Sequence, residues 1–126
     1  MENLFIESSK KTPLINFDCK SGVCQLKGRS IPEDTFNFYQ PVISWISDYV
    51  QIPLPVTQIK MELDYFNTSS SKFLLELFKK FKEVKEYNTD YSLQVEWYYE
   101  DGDEEIKEIG EDFKEILNLD IKFIEI

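Results

Sequence analysis

Leu63-Asp64-Tyr65-Phe66-Asn67-Thr68-Ser69-Ser70-Ser71-Lys72 joins two runs of different periodicity. Upstream, Val56, Ile59, Met61, Leu63, Tyr65 and their neighbours alternate enough to predict a strand over Val56–Phe66. Downstream, Phe73, Leu74, Leu77, Phe78, Phe81 and Val84 recur at helical spacing, with lysines and glutamates between them. That pattern predicts a helix from about Ser69 to Glu86, ending near Asn88. Thr68, Ser69, Ser70 and Ser71 lie at the junction. A hydroxyl there accepts a hydrogen bond from the free N–H groups of the helix's first turn. One cap needs one hydroxyl, and Ser and Thr are otherwise poor helix formers. The same helix end, with its unpaired N–H groups and positive dipole end, is also a natural seat for a phosphate. The cluster therefore reads as a cap with spare polar residues, as a phosphorylation site, or as both.

Working outward, Leu4-Phe5-Ile6 reads as a short strand. Leu14–Cys19 and Val23–Lys27 read as a hairpin turning at Lys20-Ser21-Gly22. Gly28-Arg29-Ser30 then leads to Ile31-Pro32-Glu33-Asp34, whose early proline and acidic residues mark a helix start. Phe36, Tyr39, Val42, Ile43, Ile46 and Val50 predict a helix of about four turns. Pro41 inside it is expected to kink the helix or to begin a second segment, and Ile52-Pro53-Leu54-Pro55 ends it. Tyr91–Glu100 predicts an aromatic-rich strand, and Asp101-Gly102-Asp103 a turn. Ile106, Ile109, Phe113, Ile116 and Leu117 predict a last helix weakened at Gly110, and Asp120–Ile126 a closing strand. Helices alternating with strands in the second half imply right-handed crossovers and parallel neighbours. The expected fold is therefore mixed α/β, with five to six strands, an N-terminal hairpin and about three helices.

The chain has 126 residues, a size suited to one domain over 1–126. It carries 24 acidic against 14 basic residues, a net charge of −10. That charge repels phosphate backbones and anionic lipid, which argues against nucleic acid and membrane surfaces as partners. No apolar run approaches a membrane span, and Met1–Glu7 lacks the basic and apolar segments of a signal peptide, so a cytoplasmic location is expected. Cys19 and Cys24 have a spacing compatible with facing hairpin ends; in such a compartment two reduced thiols are expected. The chain has no histidine. Ser-His-Asp and Cys-His catalysis are thereby excluded, and two cysteines alone do not complete a zinc shell. No cofactor is expected.

Other clusters read as structure. The hydroxyl run has no glycine and is not a phosphate-binding loop, which makes Lys72 a first-turn surface residue. Glu100-Asp101-Gly102-Asp103-Glu104-Glu105 lacks EF-hand spacing and reads as a solvated turn with acidic charge at a helix N-terminus. Glu62 and Asp64, two apart on a strand, have no nearby nucleophile or metal to serve. Phe36-Asn37-Phe38-Tyr39 and Trp97-Tyr98-Tyr99 read as core, with Trp97 and Tyr99 on one strand face and Tyr98 on the other.

The stretch Leu63–Lys72 resembles the signature of the SiaC family of bacterial regulatory phosphoproteins. Gly28-Arg29-Ser30-Ile31-Pro32-Glu33-Asp34 and Phe38-Tyr39-Gln40-Pro41-Val42-Ile43-Ser44-Trp45 fit the same pattern. So do Trp97-Tyr98-Tyr99-Glu100-Asp101 and Gly110-Glu111-Asp112-Phe113. The resemblance implies a STAS-like domain of the anti-sigma-factor-antagonist type and a non-enzymatic switch. It implies Thr68 as phosphoacceptor, with a cognate Ser/Thr kinase and a metal-dependent PP2C-type phosphatase setting its state. It further implies that the unmodified form binds and activates a diguanylate cyclase, controlling cyclic-di-GMP and biofilm formation. Asp64, Tyr65, Asn67, Ser69, Ser70, Ser71 and Lys72 are then expected to shape docking of kinase or partner. The competing reading is a small-ligand or nucleotide sensor using the same helix N-terminus.

Overall fold

The computed structural model describes residues 1–126. In chain order it contains β1 (Leu4–Ile6), β2 (Leu14–Phe17), β3 (Val23–Ser30), α1 (Thr35–Tyr49) and β4 (Val56–Phe66). There follow α2 (Thr68–Glu83), a 3-10 turn (Val84–Glu86), β5 (Ser92–Tyr99), α3 (Glu104–Leu117) and β6 (Ile121–Glu125). The strands form one six-stranded sheet whose spatial order is the order of the sequence. β1, β2 and β3 pair antiparallel, and β3 through β6 pair parallel. The mixed α/β architecture expected from the element order is the one found.

Each parallel connection crosses over through one helix to the adjacent strand, and the order never reverses. Crossovers of a single hand then keep all helices on one face of the sheet. The core agrees: 23 buried residues form one cluster drawn from the three helices and from the inward positions of the sheet, among them Phe17, Leu26, Ile59, Met61, Val95 and Trp97. The opposite face is polar and partly exposed. There Glu96 accepts hydrogen bonds from Gln58 (2.8 Å) and Tyr98 (2.9 Å), and Lys27 pairs with Glu62 at 3.6 Å.

Four local expectations are corrected. Gly28-Arg29-Ser30 does not lead out of the sheet but continues β3, pairing with Leu63, Tyr65 and Phe66 of β4. Pro41 begins no second segment: α1 runs over Thr35–Tyr49 as one helix with Pro41 inside it, at an exposed position. Gly110 is a packing requirement rather than a weak point, because a Cβ there would stand 2.7 Å from both the Trp97 and Phe123 rings. Finally, Tyr65 does not share the inward face of Ile59, Met61 and Leu63. The register between β3 and β4 shifts between Gly28 and Arg29, leaving Asp64 opposite no residue of β3. Gly28 accommodates this at φ +115°, a conformation that L side chains rarely adopt. The extra residue turns Tyr65 outward and Phe66 inward.

Candidate functional site

The β4–α2 junction sorts its polar residues into distinct roles. The helix cap is Asn67, not one of the hydroxyls. Its backbone is extended (φ −83°, ψ 175°), and its Oδ1 accepts the Ser70 N–H at 2.9 Å and the Ser69 hydroxyl at 3.2 Å. Its carbonyl accepts the Ser71 N–H at 2.9 Å. With an amide doing the capping, the hydroxyls are released for other work.

Ser70 is fully buried. Its hydroxyl donates to the Ser30 carbonyl (3.1 Å) and lies 2.8 Å from the Ser30 hydroxyl, which lies 2.6 Å from the Tyr39 hydroxyl. The Asn67 N–H also donates to the Ser30 carbonyl, at 3.1 Å. The start of α2 is thus fastened to the end of β3 from inside. Burial pushes the Tyr39 phenol up to about 12, although its hydrogen bonds to Ser30 and Ser70 oppose the shift. The Ser70 side chain thus stands beneath the surface, where it fixes the position of the helix start.

Ser69 is exposed, and its hydroxyl lies 2.9 Å from the Thr35 hydroxyl at the start of α1. Ser71 is half-buried, and Lys72 is exposed in the first turn. The side-chain hydrogen bonds at this junction run through Asn67, Ser69 and Ser70, and none engages the Thr68 hydroxyl. Thr68 opens α2 and is exposed. As the first helical residue, it and Ser69 carry N–H groups that have no intrahelical acceptor.

The bulge at Asp64 sets the surroundings of Thr68. Asp64 and Tyr65 both face outward, Tyr65 with 48% of its surface accessible. Together with Phe66, Asn67 and Thr68 they form one wall of a shallow depression. The other wall is α3 and its cap: Asp103, Glu105, Ile106 and Ile109. Asp103 caps α3 by accepting the Ile106 N–H at 3.2 Å, with Glu104 and Glu105 in the first turn. The lining holds three carboxylates and no basic side chain. The site therefore lacks the cationic cradle of a nucleotide pocket.

The sequence reading located Thr68, Asn67 and Ser69 at the junction but missed Ser30, Tyr39, Asp103 and Glu105. Ser30 was legible in principle. It falls on the inward phase of β3 after Cys24 and Leu26, where a polar residue requires a partner. The α3 carboxylates come from a segment about 35 residues away in sequence, and only the sheet order brings them beside Thr68. The thiols stand apart from the site. Cys24 is buried and free, and Cys19, also free, donates to Asn3 at 3.1 Å.

Comparison with known proteins identifies what the chain is similar to. Residues 6–126 match the family described as SiaC family regulatory phosphoprotein. An uncharacterized protein of Pseudomonas aeruginosa is 28% identical over 115 residues, covering 91% of this chain and 90% of its own length. The crystal structure of apo-SiaC from Pseudomonas aeruginosa superposes with a TM-score of 0.88 at 24% identity, covering 98% of both chains. The structure of the diguanylate cyclase SiaD in complex with its activator SiaC, from the same organism, contains a chain that superposes with a TM-score of 0.89. That chain is 24% identical, with 98% of this chain and 99% of the other covered. At this identity the superpositions establish the fold.

Proposed function

The chain belongs to the SiaC family of regulatory phosphoproteins, and from that premise we propose that it is a non-enzymatic switch phosphorylated on Thr68. A cognate Ser/Thr kinase adds the phosphate and a PP2C-type phosphatase removes it. The unmodified form binds and activates a diguanylate cyclase, as SiaC is named as doing for SiaD, and so controls cyclic-di-GMP and biofilm formation.

One observation carries the choice of residue. Among the four hydroxyls at the start of α2, Thr68 is exposed and without a hydrogen-bond partner, whereas Ser70 is buried, Ser69 is bonded to Thr35 and Asn67, and Ser71 is half-buried. A kinase needs an accessible hydroxyl that can be turned toward ATP, and modifying Thr68 breaks no bond of the fold. The phosphate meets unpaired N–H groups and the positive end of α2. It also faces Asp64, Asp103 and Glu105, so nearly two added charges make the depression strongly anionic. A partner that packs closely against the uncharged threonine loses its fit in both bulk and charge.

The same topology disfavours the sensor reading. Open α/β sheets hold nucleotides where the strand order reverses, and here it runs from β1 to β6 without reversal. Incubation with the cognate kinase and Mg-ATP, followed by intact-mass and peptide mapping, is expected to give one phosphate, on Thr68. A phosphate mapped to Ser69 or Ser71 instead overturns the assignment. Thr68→Ala is expected to fold normally, to accept no phosphate and to retain the cyclase in the presence of kinase and ATP.

A further inference from the structure

Helix ends fray, and a first turn built of Thr68, Ser69, Ser70 and Ser71, all poor helix formers, would offer four neighbouring hydroxyls to a modifying enzyme. Two sets of hydrogen bonds oppose this, one buried and one at the surface, and counting protons gives both a direction. The Ser70 hydroxyl spends its one proton on the Ser30 carbonyl, 3.1 Å away. The Ser30 hydroxyl, 2.8 Å from that of Ser70, is therefore the donor to it. With the Ser30 proton so used, the Tyr39 phenol donates across the 2.6 Å contact to Ser30. The result is a one-way chain from α1 through β3 to α2, with every hydroxyl proton placed and with Tyr39, Ser30 and Ser70 all buried. At the surface the Ser69 hydroxyl donates to Asn67 Oδ1 at 3.2 Å, so the 2.9 Å contact with Thr35 is a bond donated by Thr35.

We propose that Ser30, Tyr39 and Thr35 are positioning residues that select the phosphoacceptor: acting through Ser70 and Ser69, they lock the phase of the first turn of α2 so that Thr68 alone is presented to the kinase. Geometry makes the selection. Successive helical side chains lie about 100° apart, so with Ser70 held inward, Thr68 stands about 200° away, on the outer face. Ser69 and Ser71 fall on the flanks, and the Ser69 flank is tied to α1 by Thr35. Thr68 is the one exposed hydroxyl of the four that no bond holds. Phosphoryl transfer needs its nucleophile in line with the leaving group, so a rotation of the turn changes which oxygen reacts. The selection rests on the reading of Thr68 as acceptor, and adds what excludes the neighbouring hydroxyls.

The test uses the full chain as parent, Thr35→Val, Thr35→Ser, Ser70→Ala and Ser30→Ala combined with Tyr39→Phe. Each is incubated with the cognate kinase and Mg-ATP, and peptide mapping apportions the phosphate among residues 68–71 over a series of protein concentrations. The parent is expected to carry its phosphate on Thr68. Thr35→Val removes the hydroxyl with little change of shape and frees Ser69, so the ratio of Ser69 to Thr68 phosphate is expected to rise about tenfold, as for one lost hydrogen bond. Thr35→Ser keeps the donor and is expected to keep the parent's distribution. Ser70→Ala releases the buried chain; kcat at Thr68 is expected to fall about tenfold with KM little changed, and phosphate to spread onto Ser69 and Ser71. Ser30→Ala with Tyr39→Phe removes the chain behind Ser70 without leaving an unpaired phenol. It is expected to give the same spread more weakly, because the Ser30 carbonyl still accepts from Ser70. Urea titrations of each variant measure stability separately. Destabilisation with the distribution unchanged makes these bonds structural only and overturns the selection, as does a Thr35→Ser variant that behaves like Thr35→Val. A parent modified on Ser69 or Ser71 overturns the Thr68 reading, and the selection with it, and is told apart because it shows before any substitution.

Discussion

At the scale of single residues, the junction works because an asparagine takes over the helix cap. Asn67 gathers the first-turn donors, Ser70 turns inward to Ser30, and Thr68 is left exposed with its hydroxyl free. Asn67→Ala is expected to lower stability by about 1 kcal/mol, the usual effect of removing a capping side chain, whereas Asn67→Asp preserves the acceptor. A urea titration of both variants measures the difference. A midpoint for Asn67→Ala equal to that of the parent would show that the hydroxyls cap in its absence. This division of labour was half legible in the sequence. A polar cluster at a strand-to-helix junction announces a cap and a candidate site. Which side chain points in and which points out depends on the phase of the helix against β3, which no local pattern specifies.

At the scale of elements, the informative departures all arise where two elements meet. The sequence marks Gly110 as a weak helix residue, because glycine costs about 1 kcal/mol relative to alanine in a helix interior. The structure reverses that judgement, since α3 lies so close to β5 and β6 that a methyl group would overlap the Trp97 and Phe123 rings. Gly110→Ala is therefore expected to destabilise by about 1–3 kcal/mol through overpacking, despite the gain in helix propensity. Thermal unfolding by circular dichroism checks the sign: a higher midpoint for the alanine variant would mean that α3 shifts freely. Likewise the strand Val56–Phe66 has the bounds its alternation predicts, yet the bulge at Asp64 sends Tyr65 to the surface. Register is a property of two strands, so one strand's sequence does not contain it.

At the scale of the whole molecule, the absence of histidine means that no side chain with an ordinary titration near neutrality is present, and buried phenols make folding sensitive to pH in the alkaline range. Tyr39 is buried, and its phenol, ordinarily near 10.0, is pushed up to about 12. Between those values the unfolded chain has released a proton that the folded protein still holds. Stability therefore falls as pH rises above about 10, by about 1.4 kcal/mol per pH unit from this group. Burial raises the Tyr49 and Tyr91 phenols in the same sense. Alkaline unfolding followed by far-UV circular dichroism is expected to show that slope, reduced in Tyr39→Phe; an unchanged slope in that variant would assign the effect to the other buried groups raised in the same sense, Tyr49, Tyr91 and the Cys24 thiol. By itself the sequence determined the order of helices and strands, the parallel character of the second half and the junction at which the hydroxyls lie. Those follow from periodicity and turn chemistry, which act over a few neighbouring residues. Only the tertiary structure decided that all three helices cover one face, that Ser30 and Tyr39 anchor α2 from within, and that carboxylates of α3 stand beside Thr68. Those depend on contacts between segments far apart in the chain, fixed by a sheet whose strands follow one another without reversal.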